Sequence, residues 1–276
     1  MNSLSAQHKK EKLIERLEGV DSLLIAFSGG VDSTFLLALA HQVLKDKVLA
    51  VTAVSPLHPL RERKEAIAFA RERKIGHIIL ETEEMRMAEF LANRPDRCYW
   101  CKKALFQRLL TIAEEKGLQQ VVHGANFDDL DDYRPGLRAA EECGVAAPLL
   151  DVRMTKEDIR LLSREMSLPT WDKPPLACLV SRIPYGEPVT DQKLSMIERA
   201  EECLLGLGFK QCRVRHHGTV ARVELEGQEA QRVFEVGLKE EIINQFREIG
   251  FLHITLDLEG YVSGSMNRSL PKNQKS

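Results

Sequence analysis

The 276-residue sequence has no apolar stretch approaching the roughly 18 residues that a membrane-spanning helix needs, so no membrane partner is expected. Its first dozen residues, Met1 to Lys12, are polar and lysine-rich with no apolar segment behind them, which argues against a secretory signal and for the cytoplasm. Net charge is lacking as well. The 39 basic and 41 acidic residues leave −2, whereas bulk nucleic-acid or membrane-surface binders are more basic. Nucleic acid is therefore not an expected partner unless a local patch supplies the contact. Internal repeats and low-complexity segments are absent. Six cysteines in a reducing compartment read as buried thiols, metal ligands or reactive groups rather than a disulfide framework. Aromatic residues are sparse at 6%, yet the 43% hydrophobic content is enough at this length to bury one large core, or a large and a smaller one.

Short apolar runs alternate with amphipathic stretches. Residues 22–27, 48–54, 78–80 and 120–123 read as strands. Residues 32–43, 60–74 and 102–115 read as helices, as does a stretch opened by a capping-box-like Thr155-Lys156-Glu157-Asp158 and ending near Leu168. A leading helix ends at Leu17. Strands alternating with helices imply a parallel sheet covered on both faces, with ligands beyond the carboxyl ends of its strands. Two post-strand segments stand out there: Ser28 to Ser33, and Gly124 to Asp129. Residues 169–188 hold five of the eleven prolines and little periodicity, so they read as a linker or active-site loop. Beyond it come a helix (191–207), a hairpin (213–216 and 221–225, about Gly218), a helical stretch (228–248) and a strand (252–256). This is a small α+β domain, followed by a polar tail from Ser269.

Ser28-Gly29-Gly30-Val31-Asp32-Ser33 follows a strand and opens a helix. Glycines there let the chain turn tightly and present backbone N–H groups at the positive helix end, an anion site. Ser28 and Ser33 add hydroxyl donors, and Asp32 can hold or orient Mg2+. The pattern is neither G-x-x-x-x-G-K-S/T nor G-x-G-x-x-G, so neither kinase-type nor dinucleotide chemistry is indicated.

This loop resembles the SGGxDS motif of the PP-loop ATP pyrophosphatases, in which it binds the departing pyrophosphate. Five further segments, in order, resemble the LarE family within that group. They are His123-Gly124-Ala125-Asn126-Phe127-Asp128-Asp129 followed by Asp132-Tyr133-Arg134-Pro135-Gly136, then Ser181-Arg182-Ile183-Pro184-Tyr185-Gly186, then Arg213-Val214-Arg215-His216, Thr255 to Gly260, and Ser263 to Asn267. The likeness runs from about Ser22 to Asn267. It implies a PP-loop α/β fold with helices on both faces of a parallel sheet, divided as residues 1–168 (ATP pyrophosphatase domain), 169–190 (Pro-rich active-site loop) and 191–276 (substrate-binding α+β domain). It also implies an activity: ATP adenylates a carboxylate of pyridinium-3,5-biscarboxylic acid mononucleotide, and sulfur displaces AMP to leave a thiocarboxylate. ATP would contact Ser28, Gly29, Gly30, Asp32, Ser33, Gly124 and Asp129, with Asp32 also catalytic through magnesium. Ser181, Arg182, Arg213 and Arg215 would bind the anionic substrate, and homo-oligomers are expected. Arg213 and Arg215 alternate on a strand, so both face one side, where guanidinium forks suit a phosphate. Ordinary exposed sheet charges are the bland alternative.

Cys98-Tyr99-Trp100-Cys101 is a C-x-x-C placed just before the helix at Lys102, and Cys178 lies in the Pro-rich loop. Alone the pair is a weak signal for redox, zinc or nothing. The family resemblance offers two uses. With all three thiols present, a 4Fe-4S cluster held by Cys98, Cys101 and Cys178 leaves one iron open for exogenous sulfide. Alternatively, Cys178 gives up its own sulfur. A cluster-dependent tRNA thiolase of the same superfamily is the nearest other enzyme. Cys143, Cys203 and Cys212 read as buried small hydrophobes. His216 and His217 read as turn residues.

Overall fold

A computed structural model describes residues 5–131, 133–175, 177–262 and 264–270. Asp132, Leu176 and Ser263 of the segments quoted above, residues 1–4 and the tail 271–276 lie outside the described residues. The chain forms two compact units: residues up to Glu84 with Asp96–Leu176, and Met85–Pro95 with Ala177–Ser276. Of the Pro-rich segment, residues 169–175 thus belong with the first unit and 177–190 with the second. The eleven residues 85–95 join the second unit although the first flanks them in sequence.

In the first unit, β1 (Leu23–Ala26), β2 (Val48–Val54), β3 (Gly76–Glu81) and β4 (Gln120–His123) form one parallel sheet in the order β3-β2-β1-β4. Alternation along β1 explains its two covered faces. Leu23 and Ile25 enter a core with helices Ala6–Glu18, Val31–Leu44, Leu60–Glu72 and Lys156–Glu165. Leu24 enters the opposite core with helices Arg97–Glu115 and Pro135–Glu142. The strand order makes β1 and β4 the point where the winding reverses. Loops leaving neighbouring strands part there and open a crevice.

One helix begins earlier than the sequence reading placed it. It runs Arg97–Glu115, so Cys98 and Cys101 occupy its first turn instead of preceding it. Pro95 and Asp96 mark its true start, and the Trp100 indole N–H donates to the Asp96 carboxylate at 3.1 Å. The helix Pro135–Glu142 was not read from the sequence at all; Pro135 occupies its first turn, where a missing N–H costs nothing.

In the second unit, β5 (Cys212–His217) and β6 (Val220–Leu225) form the expected hairpin, with Gly218 at φ +63° in the turn. β7 (His253–Leu256) joins β6 in parallel, after a crossover through the helix Leu238–Ile249. The helical stretch expected over 228–248 is interrupted: Gly237, at φ +84°, breaks it into Glu229–Arg232 and Leu238–Ile249. Phe209, Val214, Phe246 and Phe251 fill the core between this sheet and the helix Asp191–Gly206. His216 lies in β5 against the Phe251 ring, centroids 5.5 Å apart, and not in the turn.

Two outcomes follow. Thr155 caps the Lys156–Glu165 helix in a full capping box with Asp158. Thr155→Ala should cost about 1 kcal/mol of stability, seen as a lower urea midpoint, and an unchanged midpoint would refute the cap's contribution. Burial, aided by the charge of Lys102, pushes the His123 imidazole down to about 4. It is neutral in the fold but takes a proton in the unfolded chain below about pH 6.5, so its share of stability is present above that pH and lost as pH falls towards 4. The urea midpoint of His123→Gln should therefore fall less than wild type between about pH 7 and pH 4; parallel falls would exclude His123.

Candidate functional site

The Ser28–Ser33 loop leaves β1 and enters the Val31–Leu44 helix with Gly29 at φ +74°, a conformation that a side chain disfavours. A Cβ on Gly29 would also stand 3.1 Å from the Cβ of Ala66. The two loop hydroxyls meet at 3.0 Å, Ser33 Oγ accepts the Ser28 N–H at 3.3 Å, and Ser28 Oγ accepts the Gly30 N–H at a long 3.4 Å. The loop is thus folded on itself, with weakly committed donors at a helix N-terminus.

Gly124, just past β4, packs against this turn. A Cβ there would lie 3.0 Å from the backbone nitrogen of Ser33, so any larger residue displaces the loop. Gly124 sets the approach of the two post-strand segments. Asp32 follows the loop into the helix: its Oδ2 pairs with the Lys156 ammonium, while its Oδ1 is buried with no hydrogen-bond partner. Asp129 accepts the Asn126 N–H at 3.0 Å and pairs with Arg134 at 2.9 Å. Burial raises its pKa and the Asp32 charge adds to the rise, against Arg134, the Asn126 N–H and Lys156. Lys156 itself is held by its backbone N–H, which donates to Asp128 at 2.8 Å. Two carboxylates and a lysine therefore face one another beside the loop. An acid with one orphaned, buried oxygen is a donor suited to a hard divalent cation such as Mg2+. Lys156 was missed in the sequence. The signal was there: it is the first residue after a helix cap that follows the Gly124–Asp129 segment.

Cys98 is exposed and Cys101 half-buried, three positions apart in the first helical turn, hence on one face. The positive helix end favours thiolates, so the pair fits two ligands of an iron–sulfur centre. The Cys101 thiol donates towards the buried Glu84 carboxylate at 3.8 Å. Between the two cysteines, Tyr99 is buried with its hydroxyl donating to Glu142 at 2.5 Å. Among the described residues no group of three or more His, Cys, Asp or Glu side chains is gathered as a metal site. Burial pushes the thiols of Cys203 and Cys212 up to about 11 and about 12, which leaves them unreactive.

In the second unit, Cys178 opens the short 3-10 turn Leu179–Arg182. Arg182 is 1% exposed and sets a fork on Glu201 at 2.8 and 2.9 Å. Its remaining arm donates to the carbonyls of Ala177 and Cys178 and to the Ser181 hydroxyl. Glu201 also accepts the Val214 N–H at 3.0 Å, which ties the Cys178 turn to β5. Arg215 makes a second fork, on the buried Glu224 at 2.9 and 2.7 Å, and donates to the Ser181 carbonyl at 2.8 Å. Arg213 is buried beside the Tyr261 ring, 5.2 Å from its centroid, and donates to the Cys212 carbonyl at 2.7 Å. Burial first, then the charge of Arg182, lowers its pKa, with Glu201 opposing. The sequence reading placed Ser181, Arg182, Arg213 and Arg215 in one site. The structure brings them together around the Cys178 turn, as buried groups and not as exposed sheet charges. Their acidic partners, Glu201 and Glu224, carry no sequence signal beyond being acids at apolar-face positions.

Comparison with known proteins adds an independent line. A family described as PP-loop domain matches residues 2–91. The chain is 42% identical over 266 residues to an uncharacterized protein of Synechocystis sp., covering 96% of this chain and 99% of that one. It is 36% identical over 269 residues to the pyridinium-3,5-bisthiocarboxylic acid mononucleotide synthase of Lactiplantibacillus plantarum, a LarE protein, covering 96% of each. An uncharacterized protein of Methanocaldococcus jannaschii is 30% identical over 262 residues, 95% of each chain. With a PP-loop domain at its start and a LarE relative along almost its whole length, the chain belongs to the LarE family of PP-loop proteins and is an adenylating sulfurtransferase.

Proposed function

We propose that the enzyme uses ATP to adenylate a carboxylate of pyridinium-3,5-biscarboxylic acid mononucleotide and then installs sulfur to give a thiocarboxylate. The observation that carries this reading is the Ser28–Ser33 loop with Asp32 and Lys156 beside it, on a chain matched end to end by a LarE synthase. A carboxylate is a poor electrophile because oxide is a poor leaving group. Its oxygen attacks the α-phosphorus, the bond to the β-phosphate breaks, and pyrophosphate leaves; the acyl-AMP carbon is then open to sulfur, with AMP departing.

The loop N–H groups and the Ser28 and Ser33 hydroxyls receive the charge that grows on pyrophosphate. Lys156 exchanges its pairing with Asp32 for a phosphate oxygen, which releases both oxygens of Asp32 to a cation. Bound Mg2+ would supply charge neutralisation across the phosphates. In the second unit, Arg213 and Arg215 give an anionic mononucleotide its counter-charges, while Arg182 and Ser181 shape the turn that carries Cys178. We assign Cys98, Cys101 and Cys178 as ligands of a 4Fe-4S cluster, which when bound would leave an iron coordination position for a sulfide from an external source. The enzyme acts in the cytoplasm as a homo-oligomer on this reading. Among the described residues no helix is long and apolar enough to cross a membrane.

Asp32→Asn should lower the rate of pyrophosphate release from ATP and the dicarboxylate about 100-fold or more. A loss under about threefold would remove Asp32 from the chemistry. The activity should withstand RNase; sensitivity would favour a tRNA substrate. Anaerobically purified protein should carry about four irons and four acid-labile sulfides per chain, both lost in Cys178→Ala. Iron-free protein whose mass drops by about 34 Da at Cys178 after turnover would instead make that cysteine a sacrificial donor.

A further inference from the structure

Lys173 sits in the Pro-rich segment, five residues before Cys178 in sequence, and nothing in the reaction scheme uses it. Its side chain is 8% exposed, and a buried ammonium is costly unless fully paired. One partner is Glu65 of the Leu60–Glu72 helix, at 2.7 Å. The other is the carbonyl of Gly29, at 3.0 Å. Burial opposes the charge of Glu65, but hydrogen bonds from Lys173 and Arg61 outweigh it and hold the carboxyl below its ordinary range. Both partners are therefore charged or strongly polar, and both are fixed. The backbone of Lys173 is fixed as well: Arg160 donates to the carbonyls of Trp171 and Lys173 at 2.8 and 2.7 Å, and Arg164 lies over the Trp171 ring. These arginines come from the helix Lys156–Glu165, whose first residue carries the ion pair with Asp32.

The choice of carbonyl is the informative part. In a trans peptide the C=O and the following N–H point in opposite directions across one rigid plane. Fixing the Gly29 carbonyl therefore fixes the Gly30 N–H, and turns it away from the lysine. That N–H has only the long 3.4 Å bond to Ser28 Oγ, so it is available to an anion. A cation on the carbonyl also polarises the peptide and strengthens its N–H as a donor. Gly29, at φ +74°, is the loop residue most free to rotate, and its peptide is the one that is pinned.

We propose that Lys173 is a positioning residue for the pyrophosphate cradle: its ammonium orients and polarises the Gly29–Gly30 peptide so that the Gly30 N–H is presented to the phosphate anion. The inference rests on the loop being that cradle. It makes the segment leading to Cys178 part of the ATP site through backbone geometry, without any contact of Lys173 with the nucleotide.

The test is calorimetric titration of the full chain, purified anaerobically, with inorganic pyrophosphate and with AMP, each in the presence of Mg2+. Lys173→Met keeps much of the buried stem and removes the donor. Pyrophosphate affinity should fall about tenfold while AMP affinity stays within about twofold, because only one oriented donor is lost. A general structural defect would weaken both ligands alike, and that result, or unchanged pyrophosphate binding, overturns the proposal. If Lys173→Met does not fold, Glu65→Gln serves, since Glu65 is the partner that anchors the ammonium and its side chain is 41% exposed. A selective loss of pyrophosphate affinity of about threefold supports the proposal, and no selective loss overturns it. Wild-type protein that fails to bind pyrophosphate at all would instead refute the cradle itself.

Discussion

The close approach of Gly124 to the amide of Ser33 governs the first unit. Strand order β3-β2-β1-β4 places the ends of β1 and β4 side by side, and the missing Cβ at 124 lets one loop turn against the next helix. Everything anionic or cationic in the crevice is referenced to that contact. Asp32 enters the helix one residue before Ser33, and Asp128 and Asp129 follow Gly124 by a few residues. Lys156 reaches Asp32 because its own helix begins where the Asp128 carboxylate holds its N–H. A shift of the order of 1 Å between the two strand ends would separate charges whose joint effect depends on reach, and positioning errors of that size cost rate steeply. The apolar faces of β1 supply the stiffness that prevents it, since both are covered by core.

The second unit uses a different currency. Two guanidinium–carboxylate forks, Arg182 on Glu201 and Arg215 on Glu224, are nearly or fully buried. Such pairs are poor net stabilisers, because desolvation offsets most of their attraction, whereas breaking one costs about 3–5 kcal/mol. Their value is in specifying a geometry. The Arg182 fork ties the carbonyl of Cys178 and the amide of Val214 to one carboxylate, and Arg215 ties the carbonyl of Ser181 to β6. A cysteine that must hold a metal or surrender sulfur sits on a turn whose backbone is fixed by charge rather than by packing. The insertion of residues 85–95 serves the same end, since the Asn93 amide donates to the carbonyls of Pro184 and Glu187 at 2.8 and 2.9 Å.

Legibility in the sequence followed the range of the interaction. The parallel sheet was readable because β-branched runs and the turn Ser28-Gly29-Gly30 are local signals, and each strand carries its own. The glycine loop was readable for the same reason. The pairing of Asp32 with Lys156, 124 residues apart, was not, nor was the burial of Arg213 and Arg215, which as isolated letters suit an exposed sheet. Only the family resemblance pointed to them. The start of the helix at Arg97 was misplaced because Tyr99 and Trp100 between two cysteines break the apolar period, although Pro95 and Asp96 mark the boundary by chain chemistry alone. The break at Gly237 was legible in principle, as glycine within a helical period, but the flanking periodicity masked it.

The same reasoning bears on how sulfur chemistry is reached. Cys98 and Cys101 take their place from a helix terminus, so their spacing and their electropositive setting are built by secondary structure before any metal arrives. Cys178 takes its place from side-chain forks that reach across its unit. A lone sacrificial sulfur needs only the second device, since the acyl-AMP carbon must meet one thiol. A C-x-x-C in the first turn of a helix, with Glu84 beside one thiol, has no task in that scheme, and Tyr99 between the thiols is spent on packing and on Glu142. Retaining both devices in one chain is explained by a centre that uses all three sulfurs as ligands and draws the transferred sulfur from elsewhere, so that the protein emerges from each cycle unchanged.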